Sequence, residues 1–450
     1  MPKDPLPLLS LACLTLALTA CAIGPNDQRP AVPVPAAYKE PPPASVREAS
    51  AWKVAQPHDG APRGKWWEVF GDPQLNALEE QVDVSKQLLA VAAAQLRGAR
   101  AAVGVARAAL GPTVTATSSV TGARQSLNRS GASSQPVDPY ATRADSLLPL
   151  AASYPLDVWG QIHRNVEASL ASAQASAADL ETARLSIDAM LATVYFTLHG
   201  LDAQKQLLDV TTAASETALQ LTINRYNQGV GSQVEVQQAR TLLETPRAQA
   251  IDLGIQRAHF EHAMAILLGK PPAEFSILPA PIAGQPPVIP PGLPSELLER
   301  RPDMAGAEWR MAAVNEQIAI AQAAFYPTVT LASTIGLEST SLSTLFSWPS
   351  ALWSFGASAA QTLFEGGRRR AVTEQAQTAS DATVATYRQT VLRAFQGVED
   401  NLAALRLLVE EALQQENAVK AAEAPLLLAV NRPKAGVTTY LDVITAQSAA

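Results

Sequence analysis

Two hydrophobic periods alternate along the chain. Downstream of Gly71-Asp72-Pro73, apolar positions recur at helical spacing, with Asp72 placed as N-cap and Pro73 as the first helical residue. The pattern predicts a helical region to about Leu110, stopped by Gly111-Pro112. The period then drops to two. Residues 113–120 alternate weakly, and Leu148, Leu150, Ala152, Tyr154, Leu156 and Val158 share one face of a second segment. Farther on, Val329, Leu331, Ile335 and Leu337 alternate, followed by Ala351, Trp353, Phe355, Ala357, Ala359 and Leu363. Strands of about ten residues with one apolar and one polar face suit an outer-membrane barrel, and soluble hairpins on a core are the alternative. Known barrels start at about eight strands, so four cannot close one and a barrel reading requires several chains.

Each strand pair precedes a very long helix. Val166, Leu170, Ala173, Ala177, Leu180, Ile187, Leu191, Val194 and Leu198 keep 4-3 spacing, with Arg184 at one seam position. Such a seam specifies coiled-coil packing. From about Gln161 to Asn227 the helix extends roughly 100 Å at 1.5 Å per residue, far more than a bilayer, and it is not apolar all round. It must therefore project into an aqueous compartment. Asn227-Gln-Gly229-Val-Gly231 reverses the chain, and a helix returns from Ser232 to Leu268, ending at Gly269-Lys-Pro-Pro. In the second half Val384, Tyr387, Val391, Ala394, Val398, Leu405 and Leu408 hold the same register from Arg368 to Val430, with Asn401 as a polar interruption and Pro425 expected to kink the helix.

An internal repeat organises these elements. Ala-Leu-Gly-Pro-Thr-Val-Thr at 109–115 recurs as Ala-Phe-Tyr-Pro-Thr-Val-Thr at 324–330, an offset of 215; Gly160 matches Gly367, Asn224-Arg225 matches Asn431-Arg432 and Gly229 matches Gly436 at an offset of 207. The difference falls where the loops between strands differ in length. The fold class is therefore mainly α with a small membrane β part, in which a strand pair and a long antiparallel coiled-coil hairpin are duplicated. Adding 207 to the first return helix predicts a last helix over 439–475, whereas the sequence ends at Ala450. The second repeat is accordingly expected to be shortened and trimerisation to be weak.

Composition sharpens this picture. Hydrophobic residues make up 47%, charged residues 17% and aromatics 5%, so Ala, Leu and Val carry the apolar content, as closely packed helices require. A net charge of −7 lacks the basic footprint of a nucleic-acid binder. The apolar run from Leu6 to Ala20 is too short to span a bilayer and has the form of a secretory signal, residues 1–20. It ends Leu18-Thr19-Ala20-Cys21, which resembles a bacterial lipobox. That resemblance implies that Cys21 is diacylated and becomes the mature N-terminus, and Ala22 after it implies release to the outer membrane. Cys13 leaves with the signal, so neither cysteine is free for a disulfide, catalysis or zinc. Residues 21–65, rich in Pro and without a periodic apolar face, read as a lipid-anchored linker. The rest divides into a first repeat at 66–270, a Pro-rich inter-repeat linker at 271–294 and a second repeat at 295–450.

Three stretches resemble the TolC-like outer-membrane factors, in the lipoprotein branch that serves resistance-nodulation-division pumps. They are Trp66-Trp67-Glu-Val-Phe70-Gly71-Asp72-Pro73-Gln-Leu75, Gly292-Leu-Pro-Ser-Glu-Leu-Leu-Glu-Arg-Arg-Pro302-Asp303, and Ala323-Ala-Phe-Tyr-Pro327-Thr-Val-Thr-Leu331. The resemblance implies a homotrimer sharing a twelve-stranded β-barrel and a periplasmic α-barrel, lipid-anchored in the outer membrane. It also implies as partners a periplasmic adaptor and an inner-membrane pump. It places the adaptor contact at the helical tips, on Arg225 and Gly229 in the first repeat and Arg432 and Gly436 in the second, where a plain helix-reversing turn would also want glycine. It places the pore constriction on Asp442 and on Thr445, where the family often has a second acid. Three Asp442 carboxylates brought together would repel anions. Glu235, the first-half counterpart of Asp442, reads as a solvated helix charge.

Competing functions are a type I protein secretion channel, a periplasmic adaptor, and a coiled-coil lipoprotein that forms no channel. An enzyme is the remaining class. His58, His163, His199, His259 and His262 are the five histidines, and only His259 and His262, flanking Glu261, suggest a metal face, without a third ligand in view. No catalytic, cofactor-binding or metal residue is assigned, and the only covalent group expected is the acyl modification of Cys21.

Overall fold

The computed structural model describes residue 39 and residues 64–85, 87–124, 143–282, 286–287 and 301–431. The signal segment, Cys21, the Gly292–Arg300 stretch, Arg432, Gly436, Asp442 and Thr445 lie outside the described residues. The helices are α1 (Pro73–Ser85), α2 (Gln87–Ala108), α3 (Gln161–Asn227), α4 (Gln233–Leu267), α5 (Pro302–Ala323) and α6 (Arg368–Asn431); the strands are β1 (Thr113–Ala116), β2 (Ser119–Ala123), β3 (Arg143–Leu156), β4 (Thr328–Ser339) and β5 (Ala351–Ala360). The repeat extends to the element boundaries. Both ends of α2 map onto both ends of α5, and the start of β1 onto the start of β4, at an offset of 215, while α3 and α6 begin 207 apart. The eight-residue shift sits between the strands of each pair, at 124–142 in the first repeat and 340–350 in the second.

The chain divides into two compact units, one holding residues 1–31, 94–177 and 304–389, the other 32–93, 178–303 and 390–450. All five strands belong to the first. They form one antiparallel sheet in which β1 and β2 both pair with β3, β3 with β4, and β4 with β5. Thr113 faces Ser153 and Ala123 faces Arg143 in one unbroken register, so β1 and β2 are a single strand. Its interruption has a chemical cause. Thr117 falls opposite Pro149 and donates its N–H to the Pro149 carbonyl at 3.1 Å, but proline has no N–H with which to return the bond. On the other side of β3, Pro149 faces Gly336, where a Cβ would lie 2.6 Å from the Leu148 carbonyl oxygen and 2.7 Å from the Pro149 Cα. Only glycine fits there.

Register decides what the alternation means. Leu148, Leu150, Tyr154 and Leu156 face Leu337, Ile335, Leu331 and Val329. In turn Ile335 faces Trp353 and Leu331 faces Ala357. Directly opposed residues share a face, so the apolar rows of all strands merge into one surface, on which Trp353 and Phe355 are 81% and 71% exposed. The reverse face carries mostly polar and small residues, among them Thr115, Asp145, Thr334 and Ser354. Two residues read as strand positions are not. Val158 lies in the turn that starts α3, where the Asp157 carboxylate accepts the N–H groups of Ile162 (2.9 Å) and His163 (2.8 Å). Leu363 lies past Ala360, which faces Thr328, the first residue of β4, so among the described residues β5 has no strand to pair with beyond it.

The second unit has its core where the first turn of α1 meets α3 and the end of α4. Trp67, Leu75, Leu78, Leu191, Leu198, Met264, Leu268 and Ile277 form one buried cluster. As the sequence indicates, Asp72 caps α1, its Oδ1 accepting the N–H groups of Gln74 (2.8 Å) and Leu75 (3.1 Å), and its Oδ2 accepts the Tyr195 hydroxyl at 2.7 Å. Arg257 on α4 bridges Asp202 on α3 (2.7 Å), Glu261 (2.8 Å) and the Ile277 carbonyl (2.7 Å), which ties the segment after α4 to both helices. Toward the hairpin tip the buried residues on α3 become small or polar, while those on α4 stay mostly apolar. Ser215, Ala218 and Thr222 are buried on α3, and Val236, Ala239, Leu243 and Pro246 on α4, each set at 3-4 spacing.

The coiled-coil seams hold in part. Leu191, Val194 and Leu198 are buried as the heptad predicts, but nearer the start of α3 the buried positions are Val166, Ala168, Ala171 and Ala175, while Leu170 is exposed. Alanines allow close helix approach and take the inner stripe there, turning the leucine outward. In α6 Tyr387, Val391 and Ala394 are buried, whereas Leu405 and Leu408 are exposed. Their counterparts in α3 are covered by the returning helix, and the second repeat's return lies outside the described residues. The helix itself continues through Pro425 to Asn431.

Gly336→Val is expected to abolish the β3–β4 register, since the close approach to Leu148 and Pro149 cannot relax without moving backbone. Loss of heat-modifiable gel migration measures it. Burial alone raises the Asp72 carboxyl, but the Tyr195 hydroxyl and the Leu75 and Gln74 N–H groups together hold it below its ordinary 3.8. A lowered folded pKa contributes stability that is present above 3.8 and lost as the pH falls through the folded value. Tyr195→Phe should cost about 1.5 kcal/mol near neutrality, in thermal or denaturant unfolding, because a charged acceptor loses its donor. That difference should shrink as the pH is taken below 3.8.

Candidate channel surfaces: the helix tip and the strand-to-helix junctions

The hairpin tip is built by two interlocked caps. The Gly229 N–H donates to the Tyr226 carbonyl at 3.0 Å and the Val230 N–H to the Arg225 carbonyl at 3.1 Å, a Schellman closure of α3 that needs the left-handed residue Gly229 (φ 76°). Two residues later Ser232 opens α4 with a capping box: its hydroxyl accepts the Glu235 N–H at 3.2 Å, and the Glu235 carboxylate accepts the Ser232 N–H at 3.3 Å. Arg225 and Gly229 thus belong to one closed turn, Arg225 through its carbonyl and Gly229 through its N–H and positive φ. Glu235 is corrected from a solvated charge to a structural cap, an S-x-x-E signal already legible in the sequence. Arg225 is half-buried, and Tyr226, Val230 and Val234 are exposed around the turn. Val230 and Val234 escaped the sequence reading because they fall outside the heptad pattern.

At the other end of α3, where β3 gives way to helix, the Trp159 indole N–H donates to the Pro327 carbonyl at 2.7 Å and its ring stacks on Tyr326 at 4.8 Å. Arg369, at the matching junction of the second repeat, lies 5.5 Å from the centre of the Phe325 ring and donates to Glu365 and to the Thr362 carbonyl. The Phe325-Tyr326-Pro327 motif is therefore the point that both junctions grip. The α3 and α5 helices are joined here by Arg164 and Glu316 at 2.9 Å, both largely buried.

The His259-Glu261-His262 face does not gather as a ligand set. Both histidines are exposed, while the Glu261 carboxylate is engaged by Arg257 and by the Ile277 N–H at 2.9 Å. Among the described residues no three His, Cys, Asp or Glu converge on a metal position. His199 is buried, 3% exposed, with Nδ1 2.5 Å from the Ala280 carbonyl oxygen. Among the described residues no helix is long and apolar enough to cross a membrane.

Among the described residues, a sheet of four strands with one apolar face and two unpaired edges, and a helix of more than sixty residues after each strand pair, have the architecture of a TolC-like outer-membrane channel subunit. The comparisons agree. The model of the outer membrane efflux protein family matches residues 78–270 and 293–450. The toluene efflux pump outer membrane protein TtgF of Pseudomonas putida is 31% identical over 98% of this chain and 90% of its own. Among solved structures, the outer membrane protein VceC of Vibrio cholerae superposes with a TM-score of 0.79 at 29% identity, covering 85% of this chain and 91% of that one. The outer-membrane channel OprN superposes with a TM-score of 0.83 at 28% identity, covering 95% and 93%. The chain belongs to the outer membrane efflux protein family. It is an outer-membrane channel component of an efflux system.

Gly229→Val forces a β-branched residue into a left-handed backbone and should destabilise the tip by about 1–2 kcal/mol. Faster amide hydrogen exchange confined to residues around the α3–α4 turn, with global stability unchanged, is the expected readout.

Proposed function

We propose that three copies of this chain close a twelve-stranded barrel and a helical duct, and that the assembly exports small molecules passively from an inner-membrane pump and its periplasmic adaptor. The observation that carries this reading is the sheet: an apolar face bounded by two edges, β1/β2 and β5, that pair with nothing further among the described residues. In hydrocarbon every unpaired backbone group costs several kcal/mol, so the edges must meet those of other copies. Three copies of four strands agree with the family pattern. In this reading Cys21 carries the acyl anchor, the Arg225 and Gly229 tip and its counterpart at Arg432 and Gly436 contact the adaptor, and Asp442 and Thr445 line the narrowest point of the pore. The described tip supports its part of the assignment, because both caps hold Tyr226 and Val230 outward in a fixed geometry. Selectivity for cargo then rests with the pump.

Detergent-purified protein should have the light-scattering mass of three chains, migrate heat-modifiably and conduct in planar bilayers. A monomer without current would overturn the reading. Arg225→Glu should lower site-directed cross-linking to the cognate adaptor while leaving the trimer mass and conductance unchanged.

A further inference from the structure

The two strand-to-helix junctions occupy equivalent places in the repeat and carry different chemistry. In the first, Asp157 caps α3 and Trp159 is tucked onto Tyr326 and Pro327. In the second, Leu363 and Phe364 stand 91% and 89% exposed, and Gly366-Gly367, both at positive φ, lead into Arg368-Arg369-Arg370. The positions matching those three arginines are Gln161, Ile162 and His163. Arg369 is engaged by Glu365, by backbone carbonyls and by the Phe325 ring. Arg368 and Arg370 are exposed and form no ion pair among the described residues.

This arrangement runs against ordinary helix preference. With the Glu365 carboxylate taken up by the Arg369 side chain and N–H, the guanidinium groups of Arg368 and Arg370 stand at the positive end of the helix dipole without a counter-charge among the described residues. An anionic partner removes that penalty. The exposed pair indicates which anion. Leu363 and Phe364 follow directly on the end of β5, whose odd-numbered row Trp353, Phe355 and Ala357 belongs to the apolar face of the sheet, so two exposed apolar side chains stand between that strand and the arginines. Exposed apolar side chains followed closely by cations match the boundary between acyl chains and phosphate headgroups.

We propose that the segment Leu363–Arg370 seats the barrel in the periplasmic leaflet of the outer membrane, with Leu363 and Phe364 among the acyl chains and Arg368 and Arg370 on the phosphates of anionic glycerophospholipids. It rests on the outer-membrane channel reading above and adds a specific lipid contact to it.

The test uses full-length protein extracted from membranes, with bound phosphatidylglycerol and phosphatidylethanolamine counted by native mass spectrometry after mild delipidation. Trimer mass and heat-modifiable migration are followed in parallel. Arg368→Gln with Arg370→Gln should lower phosphatidylglycerol retention by about fivefold per arginine removed, with phosphatidylethanolamine little changed. Arg368→Lys with Arg370→Lys should retain phosphatidylglycerol, and Leu363→Ser with Phe364→Ser should reduce both lipids. Wild-type phosphatidylglycerol retention in a trimeric, heat-modifiable Arg-to-Gln protein overturns the proposal. So does loss of the trimer in the Leu363→Ser, Phe364→Ser protein with unchanged lipid per chain, which would assign the surface to a second copy. If the unsubstituted protein gives no heat-modifiable, membrane-inserted form, the channel reading itself fails, and that is visible before any variant is compared.

Discussion

The pairing of β3 with β4 is the constraint on which the sheet depends. It joins strands of different repeats through an antiparallel register running from Ser146 and Ser339 to Leu156 and Val329. Because the side-chain period is two, a slip of one residue would move every leucine of β3 to the other face. The fixed point within that register is Pro149 opposite Gly336, where backbones approach too closely for any Cβ. Pro149 also removes one ladder bond on the β1/β2 side, so the same residue sets the register on one flank and breaks the strand on the other. From this pairing follow the single apolar face and the meeting of Trp159 with Pro327, residues 168 positions apart in the chain.

In the helical unit polar groups do the comparable work. Asp72 serves at once as the N-cap of α1 and as acceptor for Tyr195, which fixes the first helix on α3. Arg257 satisfies two carboxylates and a carbonyl, and Asp202 in turn accepts the Ala280 N–H at 3.1 Å. Buried charges are tolerable because they are paired and hydrogen-bonded. The chain after α4 is held against both helices by these bonds as well as by apolar burial. A long hairpin anchored in this way can present its tip in a defined orientation, as docking to another protein requires.

Much of this was legible in the sequence because periodic signals report local geometry. The bounds of α3, the capping of α1 by Asp72, the reversal at Gly229 and the duplication all follow from spacing and from residues with narrow backbone preferences. Where the reading failed, a nonlocal partner had decided. Val158 and Leu363 keep the alternating pattern yet lie outside strands, since a strand ends where its neighbour's hydrogen bonds end and not where apolar residues do. Leu170 sits on the heptad seam yet faces outward, because alanines at 168, 171 and 175 allow closer helix approach. Glu235 is the exception, since its partner Ser232 is only three residues away and the capping box is a local signal.

The sequence by itself determined the repeat, the two element types and the helix lengths, all properties of hydrogen bonds and side-chain spacing within a few residues. Tertiary structure alone decided which strands pair, that their apolar rows coincide on one face, and that the junction of the second repeat leaves Leu363, Phe364, Arg368 and Arg370 exposed while that of the first is closed by Trp159. The physical reason is that burial and register depend on contacts between residues far apart in the chain, which no local period encodes.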